Sequence, residues 1–324
     1  MNIKKIGMTA LAASLVSTSV FAGELTATGA ASITVENYSG EQVNTGKGFS
    51  MADSVTLNGS TELDNGMTVS MAFELDVADT TGSYDDHSVT ISSDALGTFK
   101  FSGNGGSSAV SAIDATAAGD IFDNFDGQID GAETTTAAGD AAMLTSPGGN
   151  NTMLYTLPSL VDGLSVSASY TPQGSTSTES SSAYGATYTG IDGLSVSYGA
   201  GTNDAGVTAF KADVTTMKAS YAYGPITVAY SDHEFDSVTA TRDQDTKSYS
   251  IAYTVSDSIS ISYGTEEIDS GEQTVDAEYS KISASYTSGG MTITAVSQEA
   301  ENISYTTGST EDQDYWGLTL GFAF

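Results

Sequence analysis

Tyr315-Trp316-Gly317-Leu318-Thr319-Leu320-Gly321-Phe322-Ala323-Phe324 decides how this chain folds. Every second residue (Trp316, Leu318, Leu320, Phe322, Phe324) is large and apolar, and the residues between them are Gly, Thr and Ala. A period of two is a strand with one greasy face and one small or polar face. The stretch finishes on Phe324 with nothing polar after it. At the edge of a soluble sheet such a strand frays or pairs with other chains, whereas a strand that closes a barrel in lipid has no free edge. The expectation is an all-β fold, a transmembrane antiparallel β-barrel, and the rest of the chain tests it.

The opposite end reads as an address. Met1-Asn2-Ile3-Lys4-Lys5 is a positive start, Ile6 to Val20 is apolar and small, and Val20-Phe21-Ala22 offers a cleavage site. Together they predict a secretory signal peptide over residues 1–22, leaving 23–324 as one barrel domain. The segment is too short and too weakly apolar for a spanning helix, and no later stretch reaches the ~20 consecutive apolar residues that one needs. An exported chain of this kind crosses a membrane, if at all, with strands.

Composition narrows the partners. The 324 residues include no cysteine, so disulfides do not hold the fold. Asp and Glu number 41 against 9 Lys and Arg, for a formal net charge of −32. Nucleic acid is excluded as a partner, because phosphate binding needs a basic stripe. Cations are what this surface attracts, although part of the acidity serves solubility alone.

The strand grammar recurs along the chain. Val55, Leu57 and Leu63 alternate with polar residues, Asp64-Asn65-Gly66 turns, and Met67, Val69, Met71, Phe73 and Leu75 alternate again, which is a hairpin. Strands are expected to begin at Glu24, Phe49, Met67, His87, Gly97, Asn151, Leu164, Ala183, Leu194, Asp213, Ile226, Thr246, Ile259, Val275, Met291 and Asp312. These are sixteen strands, an even number. Their connections alternate between short turns such as Gly224-Pro225 and longer acidic or Ser/Thr-rich loops such as Pro172 to Ser182, Asp236 to Asp245 and Ile303 to Glu311. Short turns at one rim and long loops at the other are the pattern of bacterial outer-membrane barrels, with the long loops outside.

Aromatic placement is an independent signal. Tyr170, Tyr198, Tyr230 and Tyr263 fall late in outgoing strands, and Tyr249 and Trp316 early in returning ones, which makes an outer ring on the apolar face. Tyr188, Tyr223, Tyr253 and Tyr286 fall at the other end of returning strands and make an inner ring. Two such rings match the girdles at the two membrane interfaces better than the core of a soluble sandwich. One segment, 104–150, has no sustained alternation, and a loop of that length is expected to be functional or disordered.

The whole mature chain resembles a sixteen-stranded general porin of the Gram-negative superfamily, of the alphaproteobacterial type. The resemblance is carried by the signal peptide, Ser93-Asp94-Ala95-Leu96-Gly97-Thr98-Phe99-Lys100-Phe101 before the long third loop, Leu154-Tyr155, Gly163-Leu164-Ser165-Val166-Ser167-Ala168-Ser169-Tyr170, and the aromatic end. It implies a homotrimer of water-filled channels in the outer membrane, in contact with lipid and lipopolysaccharide. It implies that Phe322 and Phe324 form the signal read by the barrel-assembly machinery. It also implies that the loop at 104–150 folds into the barrel as the constriction.

On that reading the loop would bring Asp114, Asp120, Asp123, Asp126, Asp130, Glu133 and Asp140 into the pore. By parity Lys100 and Lys218 point into the lumen with Glu62 and Glu74, and Lys281 joins them on an alternation that slips near Tyr279 and Ile282. Carboxylates in excess favour cations and exclude anions, so a cation-preferring pore for small hydrophilic solutes is expected. Two alternatives stay open, a substrate-selective porin and a non-conducting surface barrel. Asp123, Asp126, Asp130 and Glu133 form a candidate Ca²⁺ or other divalent cation site, although the register of a calcium-binding hand would put Phe122 where its first Asp belongs. No other cofactor is expected. Neither histidine, His87 or His233, lies in a catalytic pattern, so the chain is read as no enzyme.

Overall fold

The computed structural model describes residues 25–40, 46–76, 86–125, 143–144, 149–172, 179–203, 211–271, 275–303, 305 and 312–324. The expected signal peptide, and Asp126, Asp130, Glu133 and Asp140 of the third loop, lie outside the described residues. Sixteen strands follow one another: β1 (Leu25–Gly40), β2 (Gly46–Glu62), β3 (Thr68–Asp76), β4 (His87–Ser93), β5 (Gly97–Asn104), β6 (Thr152–Thr156), β7 (Leu164–Thr171) and β8 (Ser181–Ile191). The second half comprises β9 (Leu194–Asn203), β10 (Ala212–Tyr223), β11 (Ile226–Ser237), β12 (Gln244–Ser256), β13 (Ile259–Ser270), β14 (Ala277–Ser288), β15 (Met291–Glu301) and β16 (Gln313–Ala323). Each pairs antiparallel with its neighbours in sequence, and β1 pairs with β16, so the sheet is a closed barrel.

The seam joins β1 to the C-terminal strand β16. It runs in register from Gly40 opposite Gln313 to Ala30 opposite Ala323. Phe324 extends it: the Gly29 N–H donates to the Phe324 carbonyl at 2.7 Å and the Phe324 N–H returns to the Gly29 carbonyl at 2.9 Å. The Phe324 ring lies over Gly29, filling the space a Cβ would need. A ring laid across a strand glycine shields backbone that has no side chain of its own.

Alternation sorts the side chains. On β13, Ile259, Ile261 and Tyr263 are exposed on the outer wall, while Gly264, Glu266 and Ile268 turn inward and are buried. The seven short turns join even strands to the odd strands that follow, and glycine supplies the left-handed backbone there, as at Gly66 (φ 78°) and Gly97 (φ 80°). At Gly97 a Cβ would also sit 2.2 Å from the Thr156 carbonyl.

Several boundaries move from the sequence reading. β2 begins at Gly46 instead of Phe49, β8 at Ser181 instead of Ala183 and β12 at Gln244 instead of Thr246, whereas β14 begins later, at Ala277. The loop expected over Asp236 to Asp245 shrinks accordingly, because β11 runs on to Ser237 and the connection holds a 3₁₀ turn at Ala240–Arg242. The physical reason is local: beyond the outer aromatics the outward face carries Lys47 on β2, Ser182 on β8, Glu234 and Asp236 on β11 and Asp245 on β12 instead of apolar residues, so the strands continue after their hydrophobic signal has ended. At β14 no slip exists. Tyr279 and Lys281 both face inward and Ile282 outward; the alternation looked broken only because an aromatic residue sits on the lumen face.

Removing the Phe324 ring tests the seam. Phe324→Ala should lower stability by about 1 kcal/mol, the scale of one cross-strand aromatic pair, read as a lower guanidinium midpoint of the refolded barrel.

Candidate pore constriction

The buried apolar residues of this barrel are not spread over the sheet but gathered inside it, beneath the segment that follows β5. One cluster holds Ala109 and Val110 against Ala183, Ala212, Val214 and Phe235. The other holds Ile121, Phe122 and Phe125, on the 3₁₀ turn Ile121–Phe125, against Ile268, Tyr279, Ala300 and Tyr315. The loop therefore enters the lumen and lies along the wall.

Its polar backbone is met strand by strand. The Ala109 N–H donates to Ser169 Oγ on β7 at 2.9 Å. On β8 and β9 the wall is glycine: a Cβ on Gly185 would come within 2.6 Å of the Ala109 carbonyl, and one on Gly199 within 2.9 Å of Ile113. Lys218 on β10 donates to the carbonyls of Ala115 and Thr116 at 2.6 and 3.3 Å. The Ala117 and Ala118 N–H groups reach Ser231 Oγ on β11 and Ser248 Oγ on β12 at 2.8 and 2.9 Å. Gly264 on β13 leaves room for Ala118, Lys281 on β14 donates to the Gly119 carbonyl at 3.0 Å, and Asn124 donates to Gln298 on β15 at 2.9 Å. Further along, Leu144 accepts from His233 Nε2 at 2.7 Å and donates to Gln244 Oε1 at 2.6 Å.

Glu266 is the densest of these anchors. It is buried on the lumen face of β13 and accepts the Ile121 and Phe122 N–H groups at 2.8 and 3.2 Å, together with the Thr116 hydroxyl. A carboxylate at the free N–H groups of a helical turn satisfies donors the turn cannot satisfy itself. Thr116 and Asp120 close the preceding bend reciprocally, each backbone N–H donating to the other's side chain at 2.8 Å.

The charges divide into two sets. Lys218 and Lys281 both face the lumen, but each lies beneath the loop and is bonded to its carbonyls rather than standing across the channel from it. On the opposite wall, the lumen faces of β1, β2 and β3 carry Glu36, Glu62, Glu74 and Asp76, and β5 carries Lys100. Glu36 accepts from Tyr315 Oη at 3.3 Å, and Glu74, Asp86, His87 and Lys100 share one cavity of about 170 Å³. From the loop, Asp123 is exposed, Asp120 half-buried and Asp114 buried.

Asp114 is 9% exposed, and one of its carboxylate oxygens has no hydrogen-bond partner among the described residues. Burial, reinforced by the Asp120 carboxylate, pushes it up to about 6 against the pull of its own amide and of Lys218. Of the candidate cation site only Asp123 is described, and among the described residues no group of three or more His, Asp or Glu is placed to hold a metal.

The sequence reading missed Glu266, Ser169, Ser231, Ser248, Gln244, Gln298 and His233. Parity assigns each to the lumen, but polar residues are ordinary there, and Glu266 stands beside outward Glu267 without distinction. The readable signal was mid-strand glycine on the lumen face at Gly185, Gly199 and Gly264, which marks close backbone approach. Outside, Tyr170, Tyr188, Tyr198, Tyr223, Tyr249, Tyr253, Tyr263, Tyr286 and Trp316 are exposed on the outer wall, with Tyr230 half-buried against Tyr249. Tyr184 and Tyr221, not anticipated, are exposed there as well.

A family model described as Gram-negative porin matches residues 7–319, and the chain belongs to that family. It is an outer-membrane β-barrel of the kind that forms channels for passive diffusion. Among solved structures it is similar to a multiply substituted mutant of the Rh. blastica porin, with 15% identity and a TM-score of 0.67 over 93% of this chain and 100% of that one. It is also similar to an anion-selective porin from Comamonas acidovorans, with 13% identity and a TM-score of 0.69 over the same shares. No curated protein matches the chain.

Two outcomes follow from the anchors. Glu266→Ala strands two buried N–H groups, each charge-assisted bond being worth about 1.5–3 kcal/mol. Single-channel conductance and open-channel noise should both rise, with Glu266→Gln intermediate. For Asp114 the folded state binds more protons than the unfolded one between the ordinary carboxylate range and about 6. Stability therefore falls as pH rises through that window. Thermal midpoints at pH 5 and pH 8 should show the wild type losing stability on alkalinisation, and Asp114→Asn losing less.

Proposed function

We propose that the chain is a general diffusion porin for small hydrophilic solutes whose channel prefers cations. The observation that carries this is the disposition of the three lumen lysines. Lys218 and Lys281 are committed to loop carbonyls, which leaves Lys100 against Glu36, Glu62, Glu74 and Asp76 on the open wall and Asp123 on the loop. Unequal rings of charge attract one sign of ion and repel the other. An anion-selective porin shares the fold, so the preference is a property of these residues and not of the barrel.

The reading extends to assembly and placement. Residues 1–22 direct export and are removed, the final strand with Phe322 and Phe324 engages the assembly machinery, and three copies associate. The outer-wall tyrosines and Trp316 sit at the two interfaces, with Tyr170, Tyr198, Tyr230, Tyr249, Tyr263 and Trp316 toward the long loops. In planar bilayers under a potassium chloride gradient, the reversal potential should fall on the cation side and move toward zero in Glu36→Gln/Glu74→Gln. A reversal on the anion side overturns the preference, and a folded barrel without conductance overturns the channel.

A further inference from the structure

On the open wall, β2 to β5, the cavity of about 170 Å³ has opposite charges at its two ends. At one end Glu74 and Asp86 stand opposite each other, the Glu74 N–H donating to the Asp86 carbonyl at 2.8 Å. The Asp86 carboxylate occupies the space that a Cβ on Gly105 would need, so the glycine that follows β5 gives it its place. Like charges directly opposite one another destabilise a sheet, and this pair favours a positive group set between them.

At the other end is Lys100. In register it lies opposite Thr90, and Thr90 lies opposite Ser70, which is four residues short of Glu74 on β3. Two strands and four residues amount to about 10 Å across the sheet and about 13 Å along it. The residues in between are small, Ala72, Ser88 and Ser102, and among the described residues neither Lys100 nor either carboxylate makes an ion pair. The wall thus holds both signs of charge apart over a low floor. A cation alone would answer the carboxylates and crowd Lys100, and an anion alone would do the reverse.

We infer that this cavity is a recognition subsite for α-amino acids, which carry both charges on one carbon. The α-ammonium lies between Glu74 and Asp86, and the α-carboxylate meets Lys100. An adjoining cavity of about 180 Å³ shares Ala72 and Ser88 and is lined by Asn58, Ser60, Ser70 and Thr90. It leaves the side chain open polar space, so the recognised unit is the pair of charges and not a particular side chain. Ion pairs that face water are weak, and a channel needs a site that releases what it holds. The inference rests on the channel reading above and deepens it, since a solute reaches this wall through the lumen.

The test is the dissociation constant of L-glutamine for the refolded barrel in detergent, read by saturation-transfer NMR. Two derivatives that each lack one charge are measured beside it, N-acetyl-L-glutamine and L-glutamine α-amide. L-glutamine should bind about fivefold tighter than either, the upper scale of a water-facing ion pair. Lys100→Gln should erase the preference over the α-amide, and Glu74→Gln/Asp86→Asn the preference over the N-acetyl derivative. Glu36→Gln/Glu62→Gln, which removes two carboxylates from the wall outside the cavity, should keep both preferences. Equal binding of the three compounds by the wild type, the same preferences in every variant, or their loss in Glu36→Gln/Glu62→Gln as well overturns the subsite. The wild-type comparison decides the matter even where a variant does not fold. Conductance in planar bilayers keeps the two readings apart. A conducting barrel without the preferences overturns the subsite alone, and a barrel that shows them in detergent but never conducts overturns the channel alone.

Discussion

Backbone hydrogen bonding in hydrocarbon governs this structure. An N–H or carbonyl left unpaired in a bilayer costs several kcal/mol, and only helices and closed barrels avoid that cost along a whole crossing. Among the described residues no helix is long and apolar enough to cross. Closure is then obligatory, and it must join β1 to β16, the two strands farthest apart in sequence. The reward for that non-local pairing arrives only when the ring is complete, which makes the Gly29–Phe324 end of the seam a late contact. Closure also frees the side chains: with the backbone satisfied, the outer face needs only to be apolar and the inner face only to tolerate water.

The loop inside meets the same constraint without a sheet. Its amides and carbonyls lie against protein, where water cannot reach them all, and the wall answers with side chains. Serines on β7, β11 and β12 accept, Lys218 and Lys281 donate, and Glu266 takes the start of the 3₁₀ turn. Glycines at Gly185, Gly199 and Gly264 let the loop approach closely enough for those bonds to form. Basic residues that would otherwise set the charge of the pore are spent as struts, so the same bonds that fix the shape of the lumen also determine its electrostatics.

The barrel was legible because its physics is periodic. Trp316 to Phe324 announces a strand by itself, and the alternation of short turns and long loops orders all sixteen. What faded was the outer end of each long strand, where Asp245 and Glu267 replace apolar residues on the outward face, and the lumen face of β14, where Tyr279 imitates an outward residue because it packs on Phe125 at 5.7 Å between ring centroids. The site was legible only in outline. The length of the loop and its lack of pattern marked it only as functional or disordered, its entry into the barrel was implied by the resemblance, and its anchors lie 60 to 174 residues away in sequence. Nothing local tells Glu266 from Glu267, or a serine that holds an amide from a serine that faces water. Lys218 and Lys281 were assigned to the right face for a different purpose.

The row of anchors from Ser169 to Gln298 has a mechanical meaning. A thin-walled ring resists being flattened poorly, and this one is stiffened by an internal rib along a single arc, β7 to β15, while the arc across from it includes the short strands β3 to β6, none longer than 9 residues. Lateral squeezing by the bilayer is therefore taken up unevenly. The ribbed arc keeps its curvature and the short-strand arc bends, so the aperture changes width by the movement of its plain wall toward a loop that stays still.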